Sequence, residues 1–333
     1  MTVRHRSRIW GDGPRVVALG GGHGLSATLA ALRGMTDNLT AIVGVSDDGG
    51  SSGRLRTEFD IVPPGDMRMA LAALCGNDSW GRTWSQVLQH RFPGDGELAG
   101  HAVGNLLIAA LWQETDDLVA GLDYVAALLG ARGRVLPAAN CPLALVADVV
   151  PRGQTGPVVQ VRGQTRVEAV DDRIVGLHLE PPDPPACEAA VAAILEAELL
   201  VLGPGSWFSS VLPHLHVPGI RDAVVATEAT KVLVLNLAAA TRETHGFQPD
   251  TYLRVLREQV PAVTLDVVLV DERTISDLEL LEQAASAVGA IVHLDRLAAH
   301  DYGSGTLQTS HNPDLLAAAF SGIMARGRIS PWQ

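Results

Sequence analysis

The sequence predicts an α/β protein with a Rossmann-like, doubly wound and mainly parallel sheet that carries an inserted antiparallel β-hairpin region. Three observations predict this class. An apolar run with strand composition, 16–19, meets consecutive glycines and is followed by apolar residues at helical spacing. A second apolar run, 41–45, ends on two carboxylates, so the order is strand, glycine turn, helix and strand. At about 134–180, short β-rich runs separated by turn residues are typical of hairpins.

The composition sets limits on size, partners and phosphate chemistry. The chain has 333 residues, of which 47% are hydrophobic and 4% aromatic, so it can bury the large core of an α/β protein. Its formal net charge of −12 argues against a nucleic-acid partner, because phosphate backbones need clustered Lys and Arg. Lys231 is the only lysine, which excludes a Walker-type glycine–lysine loop. A bound phosphate therefore has to be met by backbone amides, helix ends, Arg or a metal.

Cysteine use and the chain ends predict a cytoplasmic, single-domain protein. The three cysteines are far apart and lack paired metal-ligand spacing, which suits a reducing compartment. The first residues are basic but lack the apolar core of a signal peptide, and no apolar stretch predicts a membrane span. We predict a flexible arm at 1–14, one α/β domain at 15–326 and a tail at 327–333.

The turn after the first strand carries a dinucleotide-type glycine fingerprint. Gly22, Gly24 and Ala27 have its spacing, in which glycines let a phosphate approach backbone N–H groups at a helix N-terminus. Asp47 and Asp48 follow the second strand, where a ribose hydroxyl or a phosphate-bound metal would lie. The pattern predicts a diphosphate held by main-chain amides opposite two aspartates.

Two further segments place polar residues at predicted helix starts. Asp66 is predicted to N-cap a helix, and Arg68 then falls in its first turn, where a cation is unfavourable unless it faces an anion. A solvated surface arginine explains the pattern equally well. His101 and Asn105 share one face of a predicted helix over 100–112. A buried asparagine needs hydrogen-bond partners, and neighbouring backbone groups supply them more often than a ligand does.

The second half of the chain repeats the strand, turn and helix pattern. One predicted strand ends in a turn containing Gly203 and Gly205, with Ser206 at the predicted N-cap. These glycines allow close approach of a phosphate or sugar, although many such turns bind nothing. Asn236 ends the next buried strand, at the edge that faces the ligand crevice of an open sheet. Two more strands and a helix near 313–324 complete the pattern.

Five sequence blocks together resemble the YvcK-like gluconeogenesis-factor family, which shares a fold with the CofD-like 2-phospho-L-lactate transferases. The blocks are GGGHGLS, VSDDGGSSGRLR, PPGDMRMALAAL, GHAVGNLLIAAL and LGPGSWFSSVLPHLHVPGI, and the resemblance extends from about Arg15 to Arg326. It implies a Rossmann-like core in a cytoplasmic bacterial protein that binds UDP-sugars such as UDP-N-acetylglucosamine. It also implies a role in cell shape and wall synthesis during gluconeogenic growth.

The resemblance implies ligand-binding residues in every block and no catalytic residue. They are Gly20, Gly21, Gly22, His23, Gly24 and Ser26 in the phosphate cradle; Asp47, Asp48, Ser51, Ser52 and Arg54 beside it; and Asp66, Arg68, Gly104, Asn105, Gly203, Gly205, Ser206 and Asn236 at the other crevice edges. Two positions depart from the family. His23 replaces the usual Thr and removes a hydroxyl beside the phosphates, and Ser310 replaces an Arg found in many members.

Four functions are compatible with these glycine turns and acidic residues. The first is a UDP-N-acetylglucosamine-binding regulator of carbon flux to cell-wall synthesis, which needs no cofactor unless Mg²⁺ accompanies the diphosphate at Asp47 and Asp48. Its protein partner would be a cell-wall enzyme or a kinase, and a homo-oligomer is also compatible. The second is a CofD-like phosphotransferase with a nucleotide-activated donor, in which the same aspartates hold Mg²⁺. An NAD(P)-dependent oxidoreductase and a scaffold without ligand are the others, although DDGGSSGRLR is unlike an ordinary ribose-binding edge.

Overall fold

A computed structural model of the chain describes residues 13–151, 157–237, 242–298 and 310–326. Its strands are β1 (Val16–Gly20), β2 (Leu39–Val43), β3 (Arg134–Pro137), β4 (Ala144–Val150), β5 (Val159–Arg162), β6 (Arg173–Glu180), β7 (Leu199–Leu202), β8 (Thr230–Val234), β9 (Val267–Asp271) and β10 (Ile291–Asp295). Its α-helices are α1 (Gly22–Leu32), α2 (Gly50–Phe59), α3 (Gly65–Leu74), α4 (Ser79–Gln89), α5 (Val103–Thr115), α6 (Leu118–Leu129), α7 (Gln164–Glu168), α8 (Glu188–Glu196), α9 (Leu212–Leu215), α10 (Pro218–Ala226), α11 (Pro249–Gln259), α12 (Leu278–Ser286) and α13 (Pro313–Ala325).

The described strands form a seven-stranded parallel sheet in the order β10-β9-β8-β7-β1-β2-β3, which confirms the predicted fold class. Every residue of β1, β2, β7 and β9 is buried, as expected for strands covered by helices on both faces. From β1 the chain builds the sheet first toward β3 and later toward β10. The order therefore reverses between β1 and β7, and the carboxyl ends of these strands flank the topological switch point.

The inserted region is smaller than predicted and contains a helix. Residues Arg134–Pro137, which we placed at its start, pair in parallel with β2 and so belong to the main sheet. The antiparallel part is the three-stranded sheet β5-β4-β6. Residues 165–170, one of the short runs that we expected to be β-structure, overlap α7, which spans Gln164–Glu168. Its apolar residues are too few to define a period, and only Val167 is buried, so the local pattern could not separate strand from helix.

Two predicted helix starts are wrong by one to three residues. Asp66 is not an N-cap, because α3 begins at Gly65 and Pro64 precedes it, so Asp66 lies in the first turn. His101 precedes α5, which begins at Val103. Such boundaries are where local patterns are weakest, since several residue types tolerate either side of a helix start.

The chain ends are described only in part. Residues 1–12 of the predicted arm and the predicted tail at 327–333 lie outside the described residues. Gly13 and Pro14, which we assigned to the flexible arm, are held by hydrogen bonds: Asn38 Nδ2 donates to the Gly13 carbonyl at 2.7 Å, and Thr36 Oγ1 donates to the Pro14 carbonyl at 2.8 Å. In the parts of the chain that the structure describes, no helix is both long and apolar enough to cross a membrane.

Candidate functional site

A cleft of about 240 Å³ lies where the N-terminal ends of α2 and α3 meet. It is lined by Asp47, Gly49, Gly50, Ser51, Ser52, Gly65, Asp66, Arg68, Met69, Arg91 and Asn105. The lining combines helix starts, hydroxyl groups, two guanidinium groups and two carboxylates. Six of the residues predicted from sequence line the cleft, and they come from three separate blocks: Asp47, Ser51, Ser52, Asp66, Arg68 and Asn105.

The start of α2 forms one wall of the cleft and is open to a ligand. No side-chain hydrogen bond caps the helix at Gly49, and Gly50 follows with a φ of +48°, which favours glycine. The first N–H groups of an α-helix have no partner within the helix. Because they also lie at the positive end of the helix dipole, the start of α2 is suited to an anion.

Arg68 brings a buried positive charge to the same cleft. The residue is 4% exposed, and its Nε donates to Asn105 Oδ1 at 2.9 Å. Within the described residues, no carboxylate comes within ion-pair distance of Arg68. Burial, followed by the nearby charge of Arg91, lowers the pKa of Arg68 to about 10, so the group remains a cation at neutral pH. A buried cation without an ion pair is costly, and an anion in the cleft would remove that cost.

Asp47 and Asp66 form an interacting acidic pair in the same lining as the two arginines. Asp47 Oδ1 accepts from the Gly49 N–H at 2.9 Å, and burial is the main cause of its raised pKa. Burial, and then the charge of Asp47, raises the pKa of Asp66 to about 7, although the Gly22 N–H and Arg68 act in the opposite direction. Two carboxyl groups in this state favour a shared proton or a cation between them.

The first glycine turn is partly occupied by the protein itself. Gly22 has a φ of +57°, and its N–H bonds to the Asp66 carboxylate, so one amide of the predicted phosphate cradle already has an anionic partner. Gly24 faces the β7 turn instead of the cleft. A Cβ at Gly24 would collide with the Pro204 carbonyl and lie 3.2 Å from the Gly205 Cα. Glycine at this position is therefore required for the packing of α1 at the switch point.

The other acidic and amide residues predicted for the crevice are paired within the protein. Asp48 Oδ1 accepts from the Thr165 N–H at 3.0 Å and from the Thr165 hydroxyl at 2.7 Å. Asn236 holds the backbone of Gly205 through two bonds, of 3.0 and 2.8 Å. Ser206 is the N-cap of a single π-helical turn, Trp207–Val211, but its hydroxyl donates to Glu168 at 3.2 Å and makes no cap bond. Short helix α7 thus contacts both the Asp48 loop and the β7 turn.

The remaining predicted residues lie outside the cleft lining. Gly20 ends β1, Gly21 is the N-cap of α1, and His23 is exposed in the first turn of that helix. The Ser26 hydroxyl donates to the Gly22 carbonyl, and Arg54 donates to the Ala99 carbonyl. Gly203 follows β7, Gly104 lies in the first turn of α5, and Ser310 is exposed before α13. Their roles in binding stay predictions.

Five residues of the lining were not predicted. Gly49, Gly50, Gly65 and Met69 belong to the sequence blocks that pointed to the site, so block membership was the available signal. Arg91 lies in an irregular segment between α4 and α5 and reaches the cleft only through the tertiary fold. No local pattern distinguishes it from a surface arginine.

The structure gives no separate metal centre at Asp47 and Asp48. The two carboxylates bond to different partners, Gly49 and Thr165. Over the described ranges, no group of three or more His, Cys, Asp or Glu side chains is arranged to hold a metal ion. A Mg²⁺ at this place would need ligand oxygens in addition to protein carboxylates, as is usual for this ion.

Comparisons with known proteins agree over most of the chain. The family model described as 2-phospho-L-lactate transferase CofD matches residues 16–310. A relative from Mycobacterium leprae is 47% identical over 94% of this chain and 87% of its own length. Relatives named gluconeogenesis factor are 37% identical in Listeria monocytogenes, over 79% of each chain, and 36% identical in Bacillus subtilis, over 80% and 81%. A crystal structure of a UPF0052 family protein from Bacillus halodurans superposes with a TM-score of 0.80 at 33% identity, covering 93% of this chain and 99% of that one.

Proposed function

Since this chain belongs to the 2-phospho-L-lactate transferase CofD family, we propose that it binds a nucleotide sugar, UDP-N-acetylglucosamine, in the cleft between α2 and α3. Its relatives in Listeria monocytogenes and Bacillus subtilis are named gluconeogenesis factor. We extend this name to a cytoplasmic regulator whose ligand reports carbon supply to cell-wall synthesis and thereby to cell shape. A cell-wall enzyme or a kinase would be its protein partner.

The observation that carries this proposal is the buried Arg68 guanidinium beside the open start of α2. Both groups favour an anion, and they line the same cleft. Arg91 adds a second guanidinium to the lining. A diphosphate offers several oxygens at once, so it can satisfy helix N–H groups and arginine N–H groups together.

The volume of the cleft fits part of a nucleotide sugar. At about 240 Å³ it is smaller than the roughly 300–1,000 Å³ of typical small-molecule pockets. We therefore place the diphosphate in the cleft, and the uridine and the sugar along the surface on either side. Asp48 and Asn236, which lie outside the lining, would contact those outer parts after giving up or sharing their internal bonds.

Mg²⁺ fits the acidic side of the cleft. Burial raises the pKa of both Asp47 and Asp66, and the charge of Asp47 raises the pKa of Asp66 further, so a divalent cation beside them would relieve both costs. These two carboxylates, in place of the Asp47 and Asp48 pair that we predicted, would hold the ion. Bound there, Mg²⁺ would neutralise charge on the diphosphate.

Titration calorimetry tests the proposal with UDP-N-acetylglucosamine, with and without Mg²⁺. We expect binding, and a rise in melting temperature by mass action. Arg68→Met should weaken binding at least tenfold, because it removes the buried cation. Arg221→Met is the matched control, since Arg221 pairs with its neighbour Asp222 on the surface. An absence of binding at millimolar ligand, or equal binding by both variants, would refute the proposal.

A phosphotransferase is the second candidate, and the family match itself favours it. The matching family model is described as 2-phospho-L-lactate transferase, and it covers residues 16–310. In that case Asp47 and Asp66 would hold a Mg²⁺ ion, and the ion would neutralise negative charge on a nucleotide-activated donor. Incubation with nucleotide-activated phospholactate and a deazaflavin acceptor, followed by mass spectrometry, separates the candidates. Steady product formation that Asp47→Asn abolishes would establish the transferase, and its absence would favour the regulator.

A further inference from the structure

We infer that His101 is a positioning residue, which acts through Ser51 and Asn105 to present the terminal amino groups of Arg68 to the ligand. Four buried side chains form a continuous series of hydrogen bonds. Arg68 Nε lies 2.9 Å from Asn105 Oδ1, Asn105 Nδ2 lies 3.0 Å from Ser51 Oγ, and Ser51 Oγ lies 3.1 Å from His101 Nδ1. The inference rests on the anion-binding function proposed for the cleft.

The direction of each bond follows from groups that can only donate. Arg68 Nε–H has no lone pair, so the atom of Asn105 that faces it is the carbonyl oxygen. The amide orientation of Asn105 is therefore fixed, and its NH₂ group faces Ser51 as a donor. The Ala102 N–H also donates to the Ser51 hydroxyl, at 3.2 Å.

These two donors decide the protonation of His101. The Ser51 oxygen accepts from Asn105 and from the Ala102 N–H, which uses both of its lone pairs. Its own proton is then directed to His101 Nδ1, so His101 is the neutral tautomer that carries its proton on Nε2. The same accounting argues against Ser51 as a nucleophile, because neither lone pair remains for attack.

The series determines which part of Arg68 is left for a ligand. A guanidinium binds an oxyanion either through Nε and one terminal nitrogen or through both terminal nitrogens. Since Asn105 takes Nε, only the end-on pair of terminal amino groups remains. Ser51 belongs to the first turn of α2, so the same series also ties the open helix start to the guanidinium. An oxyanion in the cleft meets both in a fixed arrangement.

The surroundings of His101 keep it neutral. It is 6% exposed, and burial, followed by the charge of Arg54, lowers its pKa. Glu58, which like Arg54 lies on α2, raises the pKa, and Arg91 from the segment before α5 lowers it. Protonation at Nδ1 would remove the acceptor for the Ser51 proton. Acid would then release Ser51 and Asn105, and with them the fixed orientation of Arg68.

Nuclear magnetic resonance of the ligand-free protein tests the bond directions. Long-range ¹H–¹⁵N spectra distinguish the two neutral tautomers of histidine, and the spectrum of His101→Asn assigns the signal. We expect the tautomer protonated on Nε2 at neutral pH. The tautomer protonated on Nδ1, or a charged ring at pH 7, would overturn the inference whether or not the protein binds a nucleotide sugar.

Binding of UDP-N-acetylglucosamine as a function of pH tests the positioning role. Its diphosphate diester keeps its charge between pH 4 and 8, so changes in affinity report on the protein. Wild type should lose affinity in acid as His101 protonates. Protonation of Asp66 and Asp47 has the opposite sign, because it removes negative charge near the anion. In His101→Asn the amide oxygen is bonded to Cγ, as Nδ1 is in histidine, so it can still accept from Ser51 and does not titrate. This conservative variant should retain affinity at pH 7 and lack the acid loss.

Asn105→Asp supplies the decisive comparison. The substitution preserves the shape of the side chain but places a carboxylate against Arg68, which then forms an ion pair within the protein. We expect the affinity for the nucleotide sugar to fall at least tenfold while the protein stays folded. Affinity of Asn105→Asp within twofold of wild type, or an unchanged acid loss in His101→Asn, would overturn the inference. If wild type binds no nucleotide sugar, the proposed function fails and the tautomer still decides the bond directions.

Discussion

Replacement of Gly24 by alanine tests whether the glycine at the switch point serves packing or ligand binding. The added methyl group would meet the Pro204 carbonyl group, whose carbon would lie 2.8 Å away, and the Gly205 Cα at 3.2 Å. All of these atoms are backbone, so no side chain can rotate to make room. The start of α1 and the β7 turn would have to separate.

The size of the effect follows from those distances. Carbon atoms pack at about 3.5–4.0 Å, so the two segments must move apart by roughly 1 Å. Overpacking of this kind costs about 1–3 kcal/mol. The movement also weakens the bond of 3.2 Å from the Thr28 hydroxyl to the Gly203 carbonyl, worth about 1 kcal/mol. Alanine is the better helix former by up to about 1 kcal/mol at this position of α1, so we expect Gly24→Ala to lower the free energy of unfolding by about 1–4 kcal/mol.

Urea unfolding in the absence of ligand measures this change, and Gly322→Ala is the matched control. Gly322 lies within α13, and an added Cβ there would meet no atom within 4 Å. Alanine is a better helix former than glycine by up to about 1 kcal/mol, so the control should be unchanged or slightly more stable. A Gly24→Ala protein that unfolds within about 0.5 kcal/mol of wild type would refute the packing argument and return Gly24 to the predicted phosphate cradle.

Three further predictions concern the cleft and the bridge made by α7. The pKa of Asp66 is raised to about 7 in the folded state, so the contribution of this group to stability is fully present below about pH 4 and is lost as the pH rises to 7. The contribution is at most about 4 kcal/mol, and it is smaller where water screens the carboxylate. Asp66→Asn should therefore gain stability relative to wild type across this range in urea titrations, and a constant difference between the two from pH 4 to 7 would contradict it. Arg68→Met should raise the melting temperature of the ligand-free protein, because it removes a buried cation that lacks an ion pair, and a lower melting temperature would show that the cation is compensated. Thr165→Val removes the hydroxyl bond to Asp48 and should increase hydrogen exchange in α7 while β1 and β7 stay protected; uniform exchange would count against a local bridge.

The pattern of apolar runs in the sequence was sufficient to predict the parallel sheet. Parallel strands buried on both faces require continuous apolar runs, and each such run is a local feature that can be counted. The start of the first unit, the acidic edge after β2 and the last helix all occur where predicted, with small shifts at their ends. Helix α7 was misassigned because five residues with a single buried position contain no period.

The sequence predicted several residues of the cleft but not which partner each of them contacts. Local spacing made Asp47 and Asp48 equivalent, yet Asp47 lines the cleft while Asp48 bonds to Thr165, which is 117 residues away along the chain. Asp66 was expected to cap its own helix and instead meets the Gly22 amide at the start of α1. Contacts between such distant residues depend on how helices and strands pack together. A pattern of residues that are adjacent in the sequence does not predict them.

What the sequence determined by itself is therefore the α/β class, the succession of glycine turns and acidic edges, and the set of polar residues at the carboxyl ends of the strands. What the tertiary structure alone decided is which partner each of them has: Gly24 packs against the β7 turn, Asp48 bonds to the insertion, and Arg68 lines the cleft while donating to Asn105. The physical reason is that apolar periodicity is a local property. The partner of a buried polar group is decided by whichever donor or acceptor the packed elements bring within 3 Å.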